Sequence, residues 1–314
     1  MDERQRGFSR GAPGSVLITG GSGFIGRRLT SALLARGYHV AHLSRAAGSS
    51  GQVKVHAWDP GSGVLDPGVF GGIDYLVHLA GANLGEKRWT RARKEEIIRS
   101  RVETARLLYR TVSTFNIPLK AYITASAVGY YGTEGVSRVF TEDDPPSAGY
   151  LGSVCSSWEE GAGLFAAAGI RSVILRTAVV LDRREGILPR LTAPAQAGLV
   201  VRLGNGRQVF PWIHAGDLAA IYEMALARTD MTGAYNAVAP EIISHDEFMK
   251  TLARVMERRV FLPNIPSALL RLFLGEMSQM ILEGSAVSPE RLLISGFRFR
   301  FEKAQDALTD LFRS

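Results

Sequence analysis

The stretch Thr19-Gly20-Gly21-Ser22-Gly23-Phe24-Ile25-Gly26 decides how the rest of the chain is read. It follows an apolar run, Ser15 to Thr19, that suits a buried strand, and it opens Phe24 to Arg36, whose spacing suits a helix. Gly21, Gly23 and Gly26 satisfy the G-x-G-x-x-G pattern in that strand-to-helix setting. Each glycine has a physical reason to be there. Gly20 and Gly21 let the chain turn sharply off the strand, and Gly23 lets the backbone approach a pyrophosphate closely. Gly26 lets the helix pack near the sheet. With Ser22, Phe24 and Ile25, the turn places phosphates at the positive end of the helix.

Working outward, Tyr38 to Leu43, Val53 to Ala57, Ile73 to Leu79, Leu119 to Thr124 and Arg171 to Arg176 read as further strands. Helices fit Arg91 to Phe115 and the region around Ser157 to Ala168. This alternation predicts an α/β fold, a Rossmann-type doubly wound parallel sheet. After Arg176 the alternation weakens. Tyr235 to Ala239 reads as one more strand, and His245 to Met256, Pro266 to Leu274 and Phe301 to Leu311 as helices. The expected organisation is a disordered leader at 1–14, a dinucleotide-binding domain at 15–185 and 209–239, and a smaller C-terminal substrate-side lobe at 186–208 and 240–314. Gly186 to Arg202 is the expected lid. Arg190, Arg202 and Arg207 would rim the pocket and suit an anionic substrate, though each equally suits a solvated surface.

The end of the second strand separates two kinds of dinucleotide. A ribose with free hydroxyls is usually met there by Asp or Glu. This chain has His42-Leu43-Ser44-Arg45, with no acidic residue before Asp59. A hydroxyl and a guanidinium suit a 2′-phosphate, so NADP(H) is the expected cofactor.

The net charge of +7 is carried mostly by Arg, with six Lys. Its clusters, Lys87-Arg88, Arg91 to Lys94 and Arg183-Arg184, lack the interleaved aromatics of a nucleic-acid surface. No nucleic-acid partner is expected, and a polyphosphate cofactor suffices for the basic balance. No apolar run approaches the roughly 20 residues of a membrane-spanning helix, so no membrane partner is expected either. Met1 to Gly14 lacks the apolar centre of a secretory signal, and the single Cys155 allows no intrachain disulfide. A cytoplasmic protein follows as the expectation. No metal-ligand spacing and no Gly-x-Ser-x-Gly turn is present.

The glycine turn resembles that of the extended short-chain dehydrogenase/reductase superfamily, which includes nucleotide-sugar epimerases. His78-Leu79-Ala80-Gly81 resembles the superfamily's fourth-strand motif, which passes along the cofactor. Ile213-His214-Ala215-Gly216-Asp217-Leu218-Ala219 and Tyr235-Asn236-Ala237 resemble its late elements. Arg88-Trp89, Ser100-Arg101, Gly129-Tyr130-Tyr131-Gly132, Trp158-Glu159, Phe210 to His214 and Leu282-Glu283-Gly284 are similar to an atypical "epimerase-family", cell-division-inhibitor-like branch. The resemblance runs from about residue 15 to 311. It implies that Ser44, Arg45, Leu79, Ala80, Glu96, Arg101 and Val180 line an NADP site. It also implies a homodimer through the two long helices.

Typical members of the superfamily carry a Tyr-x-x-x-Lys pair, whose Lys lowers the Tyr pKa while a nearby Ser orients the substrate oxygen. Ser126 matches that Ser. Four residues after Tyr150 stands Val154, and no Lys occurs from Ala121 to Met249. The standard pair is absent. Two readings stay open. In one, the chain is an oxidoreductase or epimerase-like enzyme on a small-molecule substrate, with Tyr130 or Tyr131 as a rearranged acid and His214 touching substrate. Both tyrosines equally suit packing with polar tips, and a His before a helix equally suits a cap. In the other, the chain senses NADP(H) and acts through a protein partner.

Overall fold

The computed structural model describes residues 14–132, 135–196, 201–258 and 264–313. The leader expected at 1–14 lies, Gly14 aside, outside the described residues, as do 197–200 of the expected lid.

The glycine turn joins β1 (Ser15–Thr19) to α1 (Phe24–Ala35). Then come β2 (His39–Ser44), β3 (Gly48–Ser50), β4 (Val53–Ala57) and β5 (Tyr75–His78). The long α2 (Arg91–Thr114) leads to β6 (Ala121–Ala127) and β7 (Gly135–Phe140). Next are α3 (Tyr150–Ala167), β8 (Ser172–Thr177), β9 (Val179–Leu181), α4 (Leu188–Gln196) and β10 (Arg202–Leu203). β11 (Trp212–His214), α5 (Ala215–Ala227), β12 (Gly233–Ala237) and α6 (His245–Val255) follow. The chain ends with β13 (Asn264–Ile265), α7 (Ser267–Leu274), α8 (Gln279–Leu282), β14 (Ser285–Val287), α9 (Glu290–Ile294) and α10 (Ala304–Arg313).

The main sheet runs β12-β8-β6-β5-β1-β2-β4-β3, parallel throughout except where β3 lies antiparallel to β4. This is a Rossmann-type, doubly wound α/β fold. β1 is apolar along its length because both its faces are covered. Val16 and Ile18 pack with Leu29 and Leu33 of α1, while Leu17 points the other way, toward Leu107, Leu108 and Val112 of α2 and Phe165 of α3. A third core, with Leu188, Trp212, Phe248, Leu252 and Leu308, holds α4, β11, α6 and α10 together. The strand order reverses between β1 and β5, and that switch point opens a crevice at the C-terminal ends of the strands.

The third helix begins at Tyr150, ahead of Ser157. Gly152 makes this early start possible, because a Cβ there would lie 2.2 Å from Ser147 O. Two small ladders, β9 with β11 and β7 with β14, were not expected; β9, β11 and β14 have three residues each, too few to show a period-2 pattern. At the outer strand β12, side chains meet the backbone. Arg291 Nη1 donates to Ala234 O at 3.1 Å, and Asn236 N–H donates to Glu142 Oε1 at 2.8 Å.

Candidate functional site

The glycine turn stands at the switch point against the segment that follows β5. Gly20 has φ +71°, which favours glycine, and a Cβ there would lie 3.0 Å from Ala80 N. Thr19 fastens the two segments. Its Oγ1 accepts from the N–H groups of Leu79 at 3.2 Å and Ala80 at 3.1 Å, and it bonds His78 Nδ1 at 2.7 Å. His78 is fully buried and reaches Thr104 of α2 through Nε2 at 3.1 Å; burial pushes it down to about 3, so it is a neutral brace.

The remaining glycines refine the expected reasons. A Cβ at Gly23 would meet only Gly20 O, at 3.2 Å, so its outer side is open. Gly23 N-caps α1 without a side-chain bond, and the helix's first N–H groups are left to the crevice. Gly26 is tight against the turn rather than the sheet, since its Cβ would fall 2.4 Å from Gly20 O and 2.6 Å from Gly21 Cα. Ser22 is exposed and Phe24 and Ile25 half-buried. Val180 of β9 lines a small hollow with Phe24, Ile25 and Arg28 and so flanks the start of α1. Ser44 is half-buried at the end of β2, and Arg45 is exposed just beyond it.

Arg101 completes this edge. It is 5% exposed, and its guanidinium lies 4.5 Å from the Trp158 ring centroid. A Cβ on Gly81 would stand 3.0 Å from its Cζ. Nη1 donates to Ile97 O at 2.9 Å, and Nε has no partner. No carboxylate among the described residues pairs with Arg101, and burial pushes it down to about 10. A buried cation without an anion, beside a helix N-terminus, suits a phosphate-bearing ligand. The glycine cradle, open at Gly23, fits a dinucleotide diphosphate. Glu96 stands apart from this cluster. It faces solvent on α2 with its carboxylate on Arg93 at 2.8 Å, beside an outer groove that includes Arg99, Glu103 and Glu160.

Ser126 lies one helix away, at the end of β6. It is 3% exposed and donates to Glu159 Oε1 at 2.7 Å. Arg176 grips Glu159 from Nε at 2.9 Å and Nη2 at 2.8 Å. Arg176 Nη1 donates to Tyr131 Oη at 2.8 Å, and Tyr131 donates to Asn236 Oδ1 at 2.7 Å. Glu159 is the hub of this network, and Trp158 carries Arg101. The available signal was that Cys155 and Glu159 stand one helical turn apart facing β6.

Of its two open readings, Tyr131 fits the packing one: it is 1% exposed, both lone pair and hydrogen are engaged inside the core, and burial pushes it up to about 12. Tyr130 is half-buried, with the Arg176 guanidinium 3.5 Å from its ring centroid; burial raises it above the ordinary tyrosine value although Arg176 pulls the other way. His214 is the N-cap of α5. Its Nδ1 accepts from Gly216 N–H at 3.0 Å, its ring packs on Phe301, and Asp310 lies 3.5 Å from Nε2. No hydrogen bond joins it to Ser126, Tyr130 or Tyr131. Of the expected rim, Arg202 is held by Asp246 at 2.7 Å, whereas Arg190 and Arg207 are exposed.

A family model described as the NAD dependent epimerase/dehydratase family matches residues 16–238, and one described as a domain of unknown function (DUF1731) matches residues 265–311. The human epimerase family protein SDR39U1 is 35% identical over 300 residues, covering 94% of this chain and 99% of its own. The Bacillus subtilis epimerase family protein YfhF is 34% identical over 299 residues, covering 95% and 97%. The crystal structure of human SDR39U1 (isoform 2) with NADPH superposes with a TM-score of 0.84 at 34% identity, over 95% of this chain and 99% of that one. The nucleoside-diphosphate sugar epimerase from Corynebacterium glutamicum gives 0.78 at 30% identity, over 96% of this chain and 59% of that one.

Proposed function

The chain belongs to the NAD dependent epimerase/dehydratase family, and from that premise we propose that it binds NADP(H) at the β1–β5 crevice. There it acts as an oxidoreductase or epimerase-like enzyme on a small carbonyl, hydroxyl or sugar-nucleotide compound. The observation that carries the reading is Arg101, buried without a carboxylate against Gly81, on the same edge as the open glycine cradle. The diphosphate would lie on the Gly20 to Gly26 turn at the N-terminus of α1. Ser44 and Arg45 would hold the 2′-phosphate, and Leu79, Ala80, Gly81 and Val180 would flank the cofactor. The cofactor supplies a hydride donor or acceptor when bound. The protein that resembles this chain and was crystallised with NADPH supports the choice of dinucleotide.

For the reaction itself, Ser126 is the group to orient a substrate oxygen. Glu159 fixes its hydroxyl hydrogen inward, so the serine offers lone pairs to the hydroxyl that a carbonyl substrate becomes on taking hydride from the cofactor and a proton from Tyr130. Tyr130, raised by burial, stays protonated at neutral pH and can give a proton but does not take one. The test uses the purified protein. Fluorescence titration with NADPH and NADH should show saturable binding with NADPH the tighter. Mass spectrometry of released ligand should find NADP(H), and Ser126→Ala should slow turnover of any carbonyl or hydroxyl compound that is accepted. Absence of NADPH binding would overturn the reading. Tight binding with no turnover across a broad panel would remove its enzymatic half. The same proposal includes self-association along the outer faces of α2 and α3, to be read from the mass in solution.

A further inference from the structure

His42 of β2 lies beneath the glycine turn, 6% exposed. A Cβ on Gly21 would fall 2.4 Å from His42 Cδ2 and 2.5 Å from its Cγ and Nε2. The imidazole therefore fills the space that a side chain at position 21 would need. Its Nε2 lies 2.8 Å from Thr30 Oγ1, on α1. The Thr30 hydroxyl gives its one hydrogen to Gly26 O at 2.7 Å, so it has only lone pairs left for the ring. Nε2 must then carry the hydrogen. Ring, threonine and Gly26 carbonyl form a chain of bonds from β2 through α1 to the turn.

We propose that His42 is a positioning residue for the dinucleotide. Its ring is the floor on which Gly21 rests, and its bond to Thr30 sets the height of the α1 N-terminus above β2. The proposal rests on the NADP(H) reading given above. Side chains alternate along a strand, so His42 and Ser44 face the same side of β2. One strand thus carries both the floor of the diphosphate cradle and, at Ser44 and Arg45, the residues for the 2′-phosphate. It follows that position 21 is glycine on account of His42, whereas position 23 is glycine on account of what approaches from outside.

The test is a reciprocal rescue, read by NADPH titration and by the thermal midpoint of the protein without added cofactor. G21A forces a methyl into filled space and should weaken NADPH by about tenfold or more, with a lower midpoint. H42A vacates that space but forfeits the bond to Thr30, so G21A should cost far less in the H42A background than in the wild type, in both readouts. H42Q keeps a donor near the Nε2 position and should hold NADPH more tightly than H42L, which strands Thr30 and should lose about five- to tenfold. Nitrogen NMR should find His42 neutral with the hydrogen on Nε2. The proposal is overturned if G21A binds like the wild type, if G21A costs as much in the H42A background as in the wild type, or if the hydrogen sits on Nδ1 with Nε2 bare. If wild-type protein does not bind NADPH at all, the cofactor reading fails instead. The midpoint rescue then still decides whether His42 is the floor under Gly21.

Discussion

Ser126 and Glu159 are joined by a 2.7 Å hydrogen bond in which the serine donates, and Arg176 holds the same carboxylate from the other side. The pair ties the end of β6 to α3, and Arg176 extends the tie to β8.

Removing the hub should therefore cost more than removing the serine. Glu159→Ala leaves the Arg176 charge buried without its partner and should destabilise the protein by about 3–5 kcal/mol. Ser126→Ala removes one hydrogen bond, for a loss of about 1 kcal/mol. Urea denaturation of the two variants measures the difference. Equal small losses would mean that Arg176 finds other partners.

Arg101 should behave in the opposite sense. It has no carboxylate to lose, so Arg101→Met exchanges a desolvated cation for an apolar chain of similar length against Trp158. Stability of the protein alone should be unchanged or higher. Affinity for NADPH should fall by about tenfold or more, as expected when a charge-assisted contact is removed. A variant that is less stable and binds NADPH normally would make Arg101 purely structural.

Arg45 is exposed beyond the end of β2, with no ion pair among the described residues. Arg45→Asp should weaken NADPH by about tenfold or more, since it replaces attraction for a phosphate by repulsion. NADH should be affected far less. An unchanged NADPH-to-NADH ratio would show that the 2′-phosphate does not meet this residue.

His245 is 2% exposed with neither ring nitrogen bonded, and burial pushes it down to about 4 from an ordinary 6.5. The unfolded chain takes up a proton at this position first as pH falls. The cost is absent above about pH 7 and grows between 6.5 and 4. His245→Leu should thus stabilise the protein against urea, with the gain increasing by about 1.4 kcal/mol per pH unit from 6.5 down to about 4 and level below that. A gain independent of pH would show that the ring is hydrated in the native state.

The fold was legible where burial imposes a pattern. β1 and its glycine turn, with both faces covered, could be read from Val16, Leu17 and Ile18 and from the spacing of Gly21, Gly23 and Gly26. The two-residue β10 and β13 could not, since two residues carry no periodicity. In the site, Arg101 became visible through a resemblance, because a single arginine on a helix has no signature of its own. Glu159 and His42 escaped for a shared reason. Their partners, Ser126 and Arg176 for one, Gly21 and Thr30 for the other, are brought in by the parallel crossovers and not by neighbours along the chain. Tyr131 stayed open between acid and packing because an aromatic residue beside a site looks the same in sequence whether its hydroxyl points into the crevice or into the core.

The outer strand β12 ends the sheet with its backbone groups already taken, Ala234 O by Arg291 and Asn236 N–H by Glu142. A strand whose ladder groups are occupied cannot template another chain. Arg291, however, belongs to a segment made well after β12. Until it arrives during synthesis, Ala234 O stands open at the newest edge of the sheet, with Asn236 N–H already within reach of Glu142. A chain cut short between residues 240 and 290 would leave that carbonyl without its cap.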